Sequence, residues 1–507
     1  MKNMRFIKNL KSDLPASIVV FFVAVPLCLG IALASGAPLF SGIIAGIIGG
    51  IVVGIISGSQ IGVSGPAAGL AAIVLTSIDS LGGFENFLLA LVLGGVIQLI
   101  LGLLRAGVIG QFFPSSVIKG MLTGIGLIII IKQIPHFFGL NSGFNANMLN
   151  EINLGSTLIA VVSLFILILW ESWLSHKAKI FQIVQGPLVA VIIGIIYTMY
   201  TKNDTKWGIL NENLVNIPMP ENFSSLLSNF TFPNFSIIAD SEVWVVAFTI
   251  ALVASLETLL CVEATDKLDP EKRITPKNKE LIAQGIGNTL SGLIGGLPVT
   301  QVIVRSSANL QSGGKTKLSA ILHGFLLLIS VILIPSLLNK IPLSTLASIL
   351  LIVGYKLAKP TLFKSMLSLG WKQFTPFIIT VLGIVFTDLL LGISIGLTFS
   401  VFIILKESYN NSHSVIILNN SSEKKITNIQ FAEEVTFLNK HLIHNELKKL
   451  PIDSTLNIDI SQTKFLDYDI IEIIDDFLIS VKDRNQRITL KTKKGEFSNP
   501  YNMNQIL

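Results

Sequence analysis

Two glycine-rich stretches of the chain are candidates for binding an anion. They are residues 59–69, SQIGVSGPAAG, and residues 292–301, GLIGGLPVTQ. In each stretch an extended segment precedes a proline that is suited to open a helix. A helix that begins within an apolar medium directs unpaired N–H groups and the positive end of its dipole at whatever lies there, which favours an anion. Glycine and proline could instead simply permit close helix packing.

Two ionisable residues lie inside apolar segments near these stretches. Arg305 falls one to two turns into the helix predicted after the second stretch, and Glu257 lies deep in an apolar run. Charged groups are costly at such depth, so both are functional candidates. Arg305 would add positive potential to an anion site, or it could snorkel or pair with a carboxylate. Glu257 could carry a proton or bind a cation, or it could be a neutral, hydrogen-bonded side chain.

Other polar residues carry weaker signals. His136 and His323 are lone histidines near helix ends or on an apolar face, and we expect hydrogen-bonded side chains rather than ligands. The only cysteines, Cys28 and Cys261, both lie in apolar runs and are too few for a disulfide scaffold or a cysteine-rich metal site. The sequence lacks nucleophile-elbow, Walker and dinucleotide motifs and clustered acid–base residues, so neither an enzyme nor a cofactor is predicted.

The composition places these residues in a membrane. Of the 507 residues, 51% are hydrophobic and 13% are charged, whereas a soluble domain carries about a quarter of its residues as charges. No Asp, Glu, Lys or Arg occurs from Leu14 to Ile78. Since a spanning helix needs about 20 apolar residues, this segment alone predicts about three spans.

Apolar runs predict about fourteen spans, about seven on each side of a polar loop from Thr201 to about Asp240. The predicted spans are 14–34, 38–57, 62–78, 86–104, 113–131, 153–170, 181–200, 243–261, 279–295, 298–311, 318–338, 342–355, 373–387 and 389–405. An odd number of spans per half inverts the second half, so residues 13–200 and 241–408 are predicted to form an inverted repeat. The glycine-rich stretches fall in the third span of each half, as expected of two half-helices at a transporter's binding site.

The distribution of basic residues predicts the orientation. With the amino terminus placed inside, the inner loops collect most of the Lys and Arg, including five between residues 267 and 279. The outer loops receive only Lys132, Lys202, Lys206 and Lys340. This bias predicts that both termini are cytoplasmic. The formal charge of +6 therefore reports topology, and no basic tract indicates a nucleic-acid partner.

The last hundred or so residues have a different composition. Short apolar segments at 415–418, 456–460 and 487–490 are typical of strands, and residues 432–449 and 469–482 have helical spacing of apolar residues. Residues 412–507 are therefore predicted to form a small α/β domain after the all-α polytopic membrane domain of residues 1–408.

Motifs along the whole membrane part resemble the sulfate permease (SulP) family. The motifs are Leu14-Pro15, Val25-Pro26-Leu27, Ser64-Gly65-Pro66, Ser255-Leu256-Glu257, Gln284-Gly285-Ile286-Gly287-Asn288, Gly296-Leu297-Pro298, Arg305-Ser306-Ser307-Ala308-Asn309 and Gly313-Gly314-Lys315-Thr316. The resemblance implies a multi-pass inorganic anion transporter of the bacterial inner membrane, with a core domain that moves against a gate domain. It also implies a homodimer and a cytoplasmic STAS domain. The tail is STAS-like at Ile458-Asp459-Ile460-Ser461 and Phe465-Leu466-Asp467 but has Tyr468 where many STAS domains have serine.

The resemblance also implies a set of site residues. The anion, sulfate or bicarbonate, would lie among the residues Leu27, Ile31, Gly65, Pro66, Ala67, Ala68, Gln301, Val302, Ile303 and Arg305. Glu257 matches the acidic position that couples transport to an ion.

The coupling ion is either a proton or sodium. Sodium-coupled bicarbonate members of the family have hydroxyl residues where this chain has Cys261 and Ile303. Because sodium prefers oxygen ligands, their loss favours a proton. The segment 263–270, EATDKLDP, instead resembles a bacterial subgroup often linked to carbonic anhydrase, which favours bicarbonate. An anion channel of the same fold is a further alternative.

Overall fold

The structure is a computed structural model that describes most of the chain. The described residues are 2–111, 113–140, 152–177, 181, 185–202, 204, 206–219, 229–387, 389–419, 425–450, 455–482 and 487–500. The chain divides into two compact units, residues 1–397 and 398–507.

Each predicted span coincides with a helix. In chain order these are α1 (Lys2–Ala34), α2 (Leu39–Ile56), α3 (Ala68–Ser80), α4 (Phe84–Leu103), α5 (Ser115–Phe137), α6 (Leu154–Leu174), α7 (Gly186–Tyr200), α8 (Ser241–Leu268), α9 (Lys277–Leu293), α10 (Ile303–Gln311), α11 (Leu318–Leu333), α12 (Leu343–Leu357), α13 (Trp371–Phe386) and α14 (Leu389–Asn410). Within the described residues, eight helices are long and apolar enough to cross a membrane. The count of about fourteen crossings stays a prediction.

One short strand precedes the third helix of each half. Strand β1 (Ser64–Pro66) precedes α3, and strand β2 (Val299–Gln301) precedes α10. The prediction that Pro66 and Pro298 open helices is wrong, because Pro66 ends β1 and Pro298 stands immediately before β2. Proline restricts the residue before it to extended backbone, so each proline favours the strand rather than the following helix.

Close packing of α4 against α9 supports this region. A Cβ atom on Gly285 of α9 would lie 2.5 Å from the backbone nitrogen of Leu99, and one on Gly292 would lie 2.8 Å from a side-chain carbon of Val92. Glycine therefore lets the two backbones approach, as small residues commonly do between membrane helices. Helix α9 carries the polar side chains that hold the strands.

The second unit contains a five-stranded sheet. Its strands are β3 (His413–Asn419), β4 (Lys425–Phe431), β6 (Thr455–Asp459), β8 (Arg487–Thr492) and β9 (Gly495–Ser498), in the spatial order β3-β4-β6-β8-β9. The three central strands are parallel and both edge strands are antiparallel. Buried Ile429, Ile458 and Leu490 on these central strands form part of the core.

The helices of this unit match the sequence prediction in part. Helix α16 (Tyr468–Lys482) confirms the helix predicted at 469–482. The helix predicted at 432–449 is too long, because strand β5 (Glu434–Val435) precedes helix α15 (Lys440–Lys448) and pairs with strand β7 (Phe465–Leu466). Thr436 and Asn439 form a capping box that begins the helical turn only after this strand.

Candidate functional site

The two glycine-rich stretches meet in the structure. Strands β1 and β2 pair in antiparallel register, with Ser64 opposite Gln301, Gly65 opposite Thr300 and Pro66 opposite Val299. All six residues are buried. Because the strands run in opposite directions, α3 and α10 leave the pair in opposite directions, and both begin close to it. The positive ends of both helices therefore lie beside the paired strands.

Polar side chains from α9 hold the strands in place. Asn288 donates from Nδ2 to the carbonyl of Val299 at 3.1 Å and accepts from the N–H of Val299 at 2.6 Å. It also donates to Oε1 of Gln98 at 2.7 Å. One turn away, Gln284 donates to the hydroxyl of Ser64 at 2.8 Å. These bonds satisfy backbone and side-chain groups that have no water to bond in an apolar medium.

Residues at the start of α10 complete the support from the other side. The N–H of Val63 donates to the hydroxyl of Ser306 at 3.0 Å, and the N–H of Val302 donates to the carbonyl of Val63 at 2.9 Å. Asn309 donates from Nδ2 to the carbonyl of Ile61 at 3.0 Å. The polar side chains of α9 and α10 therefore hold in place the extended backbone that precedes α3 and α10.

Arg305 brings a positive charge to the paired strands β1 and β2, which we call the strand crossing. The residue is 0% exposed, and Nη2 donates to the sulfur of Cys28 at 3.3 Å. Within the described ranges, Nε and Nη1 have no hydrogen-bond partner. A Cβ atom on Gly65 would overlap Nη1, so the glycine gives the guanidinium direct access to β1. Since no described carboxylate neutralises it, the alternative of a structural ion pair is not supported.

Of the apolar residues of the predicted site, Leu27, Ile31 and Ala67 are buried, and Ala68, Val302 and Ile303 are half-buried. Leu27 and Ile31 of α1 are 6% and 4% exposed, and they belong to the same apolar cluster as Ala67. Ala68 begins the first turn of α3, and Ile303 begins α10.

The side chain of Gln301 points toward helix α8. Its Nε2 atom donates to the hydroxyl of Thr265 at 3.1 Å. A Cβ atom on Gly62 would lie 2.7 Å from its Oε1 atom, which has no partner among the residues the structure describes. Gln301 therefore ties β2 to α8, and any contact with an anion would fall to its backbone.

One face of α8 contacts both helix ends. Glu257 and Cys261 are four residues apart, so they share a face. A Cβ atom on Gly69, in the first turn of α3, would lie 2.7 Å from both carboxylate oxygens of Glu257. The backbone N–H of Ile303, the first residue of α10, lies near the sulfur of Cys261. The Oε2 atom of Glu257 is buried with no partner among the described residues, so a proton or cation could bind there.

The sequence analysis missed a second buried carboxylate, that of Glu280 on α9. It is 0% exposed and accepts hydrogen bonds from Ser57 Oγ at 2.6 Å and from Gln284 Nε2 at 3.0 Å. Gln284 links it to Ser64 of β1. Glu280 follows Lys277 and Lys279 at the start of a predicted span, a pattern typical of a solvated end. The sequence did carry one signal, because Glu280 and Gln284 are four residues apart and so are neighbours on one helix face.

The described residues include no cluster of three or more His, Cys, Asp or Glu that could hold a metal ion. The prediction that His323 is fully hydrogen-bonded is wrong for one of its ring atoms. Its Nδ1 atom contacts the carbonyl of Ala320 at 2.5 Å, whereas Nε2 is buried without a partner in the described part of the chain.

Replacing Asn288 tests the support of the strands. Asn288→Leu would leave both backbone groups of Val299 without their side-chain partner, at a cost of about 1–3 kcal/mol for each buried unsatisfied group. We expect a clearly lower midpoint of thermal unfolding in detergent. The control is Thr289→Ala, because the Thr289 hydroxyl bonds only the Gly285 carbonyl of its own helix. Equal midpoints for the two variants would contradict this role of Asn288.

Comparison with known proteins places this site in a family. Residues 10–380 match the Sulfate permease family. YvdB of Bacillus subtilis is 29% identical over 404 residues, which cover 77% of this chain and 73% of YvdB. The bicarbonate transporter BicA of Picosynechococcus is 26% identical over 407 residues, which cover 77% of this chain and 69% of BicA.

A solved structure shows the same fold. The murine Slc26a9 anion transporter matches with a TM-score of 0.77 at 16% identity, covering 95% of this chain and 85% of that chain. The family match covers most of the chain and includes the residues that build the strand crossing. This chain is a multi-pass membrane protein that belongs to the sulfate permease family.

Proposed function

We propose that this protein is a secondary active transporter of a small inorganic oxyanion, sulfate or bicarbonate, that uses alternating access and a proton as coupling ion. The observation that carries this proposal is the buried guanidinium of Arg305, which has no carboxylate partner in the described residues and lies beside the ends of α3 and α10. A buried charge is costly unless it is paired. An anion bound at the crossing would supply the missing partner.

The anion site would combine this charge with two helix ends. Leu27, Ile31, Ala67 and the first residues of α3 and α10 would surround the anion. Their apolar side chains lower the local dielectric, so the positive charge and the helix dipoles act more strongly than in water. The related BicA is named as a bicarbonate transporter, and other relatives are named as sulfate transporters. These names support the class of substrate.

Glu257 is the proposed coupling residue. One of its carboxylate oxygens has no partner among the described residues, and the carboxylate lies close to Gly69 in the first turn of α3. Its neighbour on α8, Cys261, offers sulfur at the start of α10. Sodium prefers several oxygen ligands, which this pair does not provide, so a proton is the better candidate. Sodium-coupled bicarbonate transport is the second candidate, and the name of BicA as a bicarbonate transporter supports its substrate only. The third candidate, an anion channel of this fold, needs no coupling residue.

The remaining parts of the proposal concern the setting. We propose that the protein lies in the inner membrane of a bacterium as a homodimer, as its resemblance to the family implies. Both termini are proposed to be cytoplasmic, because Lys and Arg concentrate in alternate loops. The predicted membrane domain of residues 1–408 is proposed to hold two inverted repeats. Residues 412–507 form the proposed STAS-like domain, supported by the α/β sheet of the second unit.

Transport into proteoliposomes tests the coupling. We expect uptake of labelled sulfate or bicarbonate to be driven by an imposed proton gradient, and Glu257→Gln to abolish driven accumulation because it removes the site that takes up the proton. The matched control is Glu242→Gln, an exposed glutamate at the start of the same helix. Sodium-driven uptake would favour the second candidate. Undiminished flux in Glu257→Gln would indicate a channel and contradict coupling through this residue.

Replacing Arg305 tests the anion site itself. Arg305→Gln keeps a polar side chain but removes the positive charge, so we expect the KM for the transported anion to rise at least about tenfold, which corresponds to about 1.4 kcal/mol of binding. The control Lys364→Gln removes an exposed positive charge and should leave KM unchanged. An unaltered KM in Arg305→Gln would place the anion elsewhere.

A further inference from the structure

One face of helix α2 brings Arg305 and His323 near each other. A Cβ atom on Gly46 would lie 2.6 Å from the sulfur of Cys28 and 4.0 Å from Nη1 of Arg305. A Cβ atom on Gly50 would lie 2.8 Å from Cε1 of His323. Four residues correspond to about 6 Å along a helix, so the guanidinium and the imidazole face α2 roughly one turn apart. A π-helical turn begins here, at Gly49, and such turns are frequent at functional sites.

The Arg305 and His323 side chains both have polar atoms without a hydrogen-bond partner among the described residues. His323 is 0% exposed, and its Nδ1 atom lies 2.5 Å from the carbonyl of Ala320. Because a carbonyl only accepts, Nδ1 carries the hydrogen, and Nε2 is left as an acceptor. Nε2 of His323 and both Nε and Nη1 of Arg305 are buried without a partner in the described residues. An unpartnered acceptor and two unpartnered donors so close together indicate a missing ligand.

Few other ionisable groups face His323. Helix α11 contacts α1, α2 and the short helix Pro335–Leu338. Residues 39–56 and 335–338 contain no ionisable side chain, and α11 has none besides His323. From α1, Cys28 faces Arg305, and Asp13 is bonded to Lys315 and Thr316 near the start of α11.

Two basic residues complete these surroundings. Lys317 donates to the carbonyl of Ile55 at 2.6 Å, at the same end of α11 as Thr316. Arg305 on α10 is the charged group whose field acts on the imidazole of His323. Without an anion, a proton on His323 would therefore meet an unneutralised positive charge.

We propose that His323 is a second proton site, occupied when an oxyanion dianion such as sulfate binds to Arg305. This proposal rests on the proposed anion site and adds to it. The proton comes from bulk water and adds to Nε2, no covalent bond breaks, and the N–H so formed donates to the anion. Two donors that each lie about 2.9 Å from one acceptor atom can be up to about 6 Å apart, so one anion can contact both side chains.

The linkage between anion and proton is reciprocal. A bound anion neutralises the field of Arg305 and favours the imidazolium, and the imidazolium in turn favours the anion. With one proton on Glu257 and one on His323, a sulfate dianion would cross the membrane without net charge.

The test is sulfate binding to the purified full chain, with no gradient, at several values between about pH 5 and pH 8, where histidine changes its charge. Sulfate stays a dianion over this range. The wild-type Kd should rise by up to about tenfold per pH unit as His323 loses its proton. His323→Asn, which keeps a donor for the Ala320 carbonyl, should lose this part of the pH dependence and keep only the part that Glu257 contributes. The control His136→Gln, at the end of α5, should behave as the wild type.

A second measurement does not depend on the folding of the variant. Addition of sulfate to weakly buffered wild-type protein should take up at least about one proton per bound sulfate, as seen with a pH dye, and His323→Asn should take up about one proton fewer. Wild-type binding without proton uptake, or an unchanged pH slope in His323→Asn, would overturn the proposal and leave the anion site standing. Failure of the wild type to bind sulfate would also overturn it, whereas bicarbonate transport by the same preparation would keep the proposed function.

Discussion

The buried guanidinium of Arg305 is the feature on which the rest of this site depends. A positive charge within an apolar domain is costly, and no carboxylate among the described residues offsets that cost. We propose that the charge is tolerated beside two helix ends because an anion occupies the site for part of the time. Transport requires the same condition, since an anion that is held too tightly would not leave. A site whose positive charge is offset only by the transported anion would satisfy both requirements.

The site is framed by extended backbone in strands β1 and β2. Strands β1 and β2 expose N–H and C=O groups at a depth where water is scarce, so each group needs a partner. Asn288 supplies partners for Val299 of β2, and Ser306 and Asn309 supply partners for the backbone just before β1. Glycine at 65 and 285 removes the side chains that would keep the guanidinium and the neighbouring helices apart. The polar side chains around the strands therefore act mostly as scaffolding in this structure.

The sequence predicted the helices, the two interrupted spans and the ionisable residues Arg305 and Glu257, because charge and glycine are conspicuous in apolar runs. It did not predict the pairing of β1 with β2, since the partners are far apart in the chain and each is only three residues long. The direction of the Gln301 side chain was also beyond it, because that depends on Thr265 of another helix. Glu280 was missed because the preceding Lys277 and Lys279 give this buried residue the pattern of a solvated one.

The most direct test of this account is a structure of the protein determined with selenate, an isostere of sulfate whose selenium can be located by its anomalous scattering. The account predicts one selenium peak at the crossing of β1 and β2, within hydrogen-bond distance of Arg305 and near the first residues of α3 and α10. Selenium bound at another place in the membrane domain, with the space beside Arg305 filled by water or by a carboxylate side chain, would contradict it.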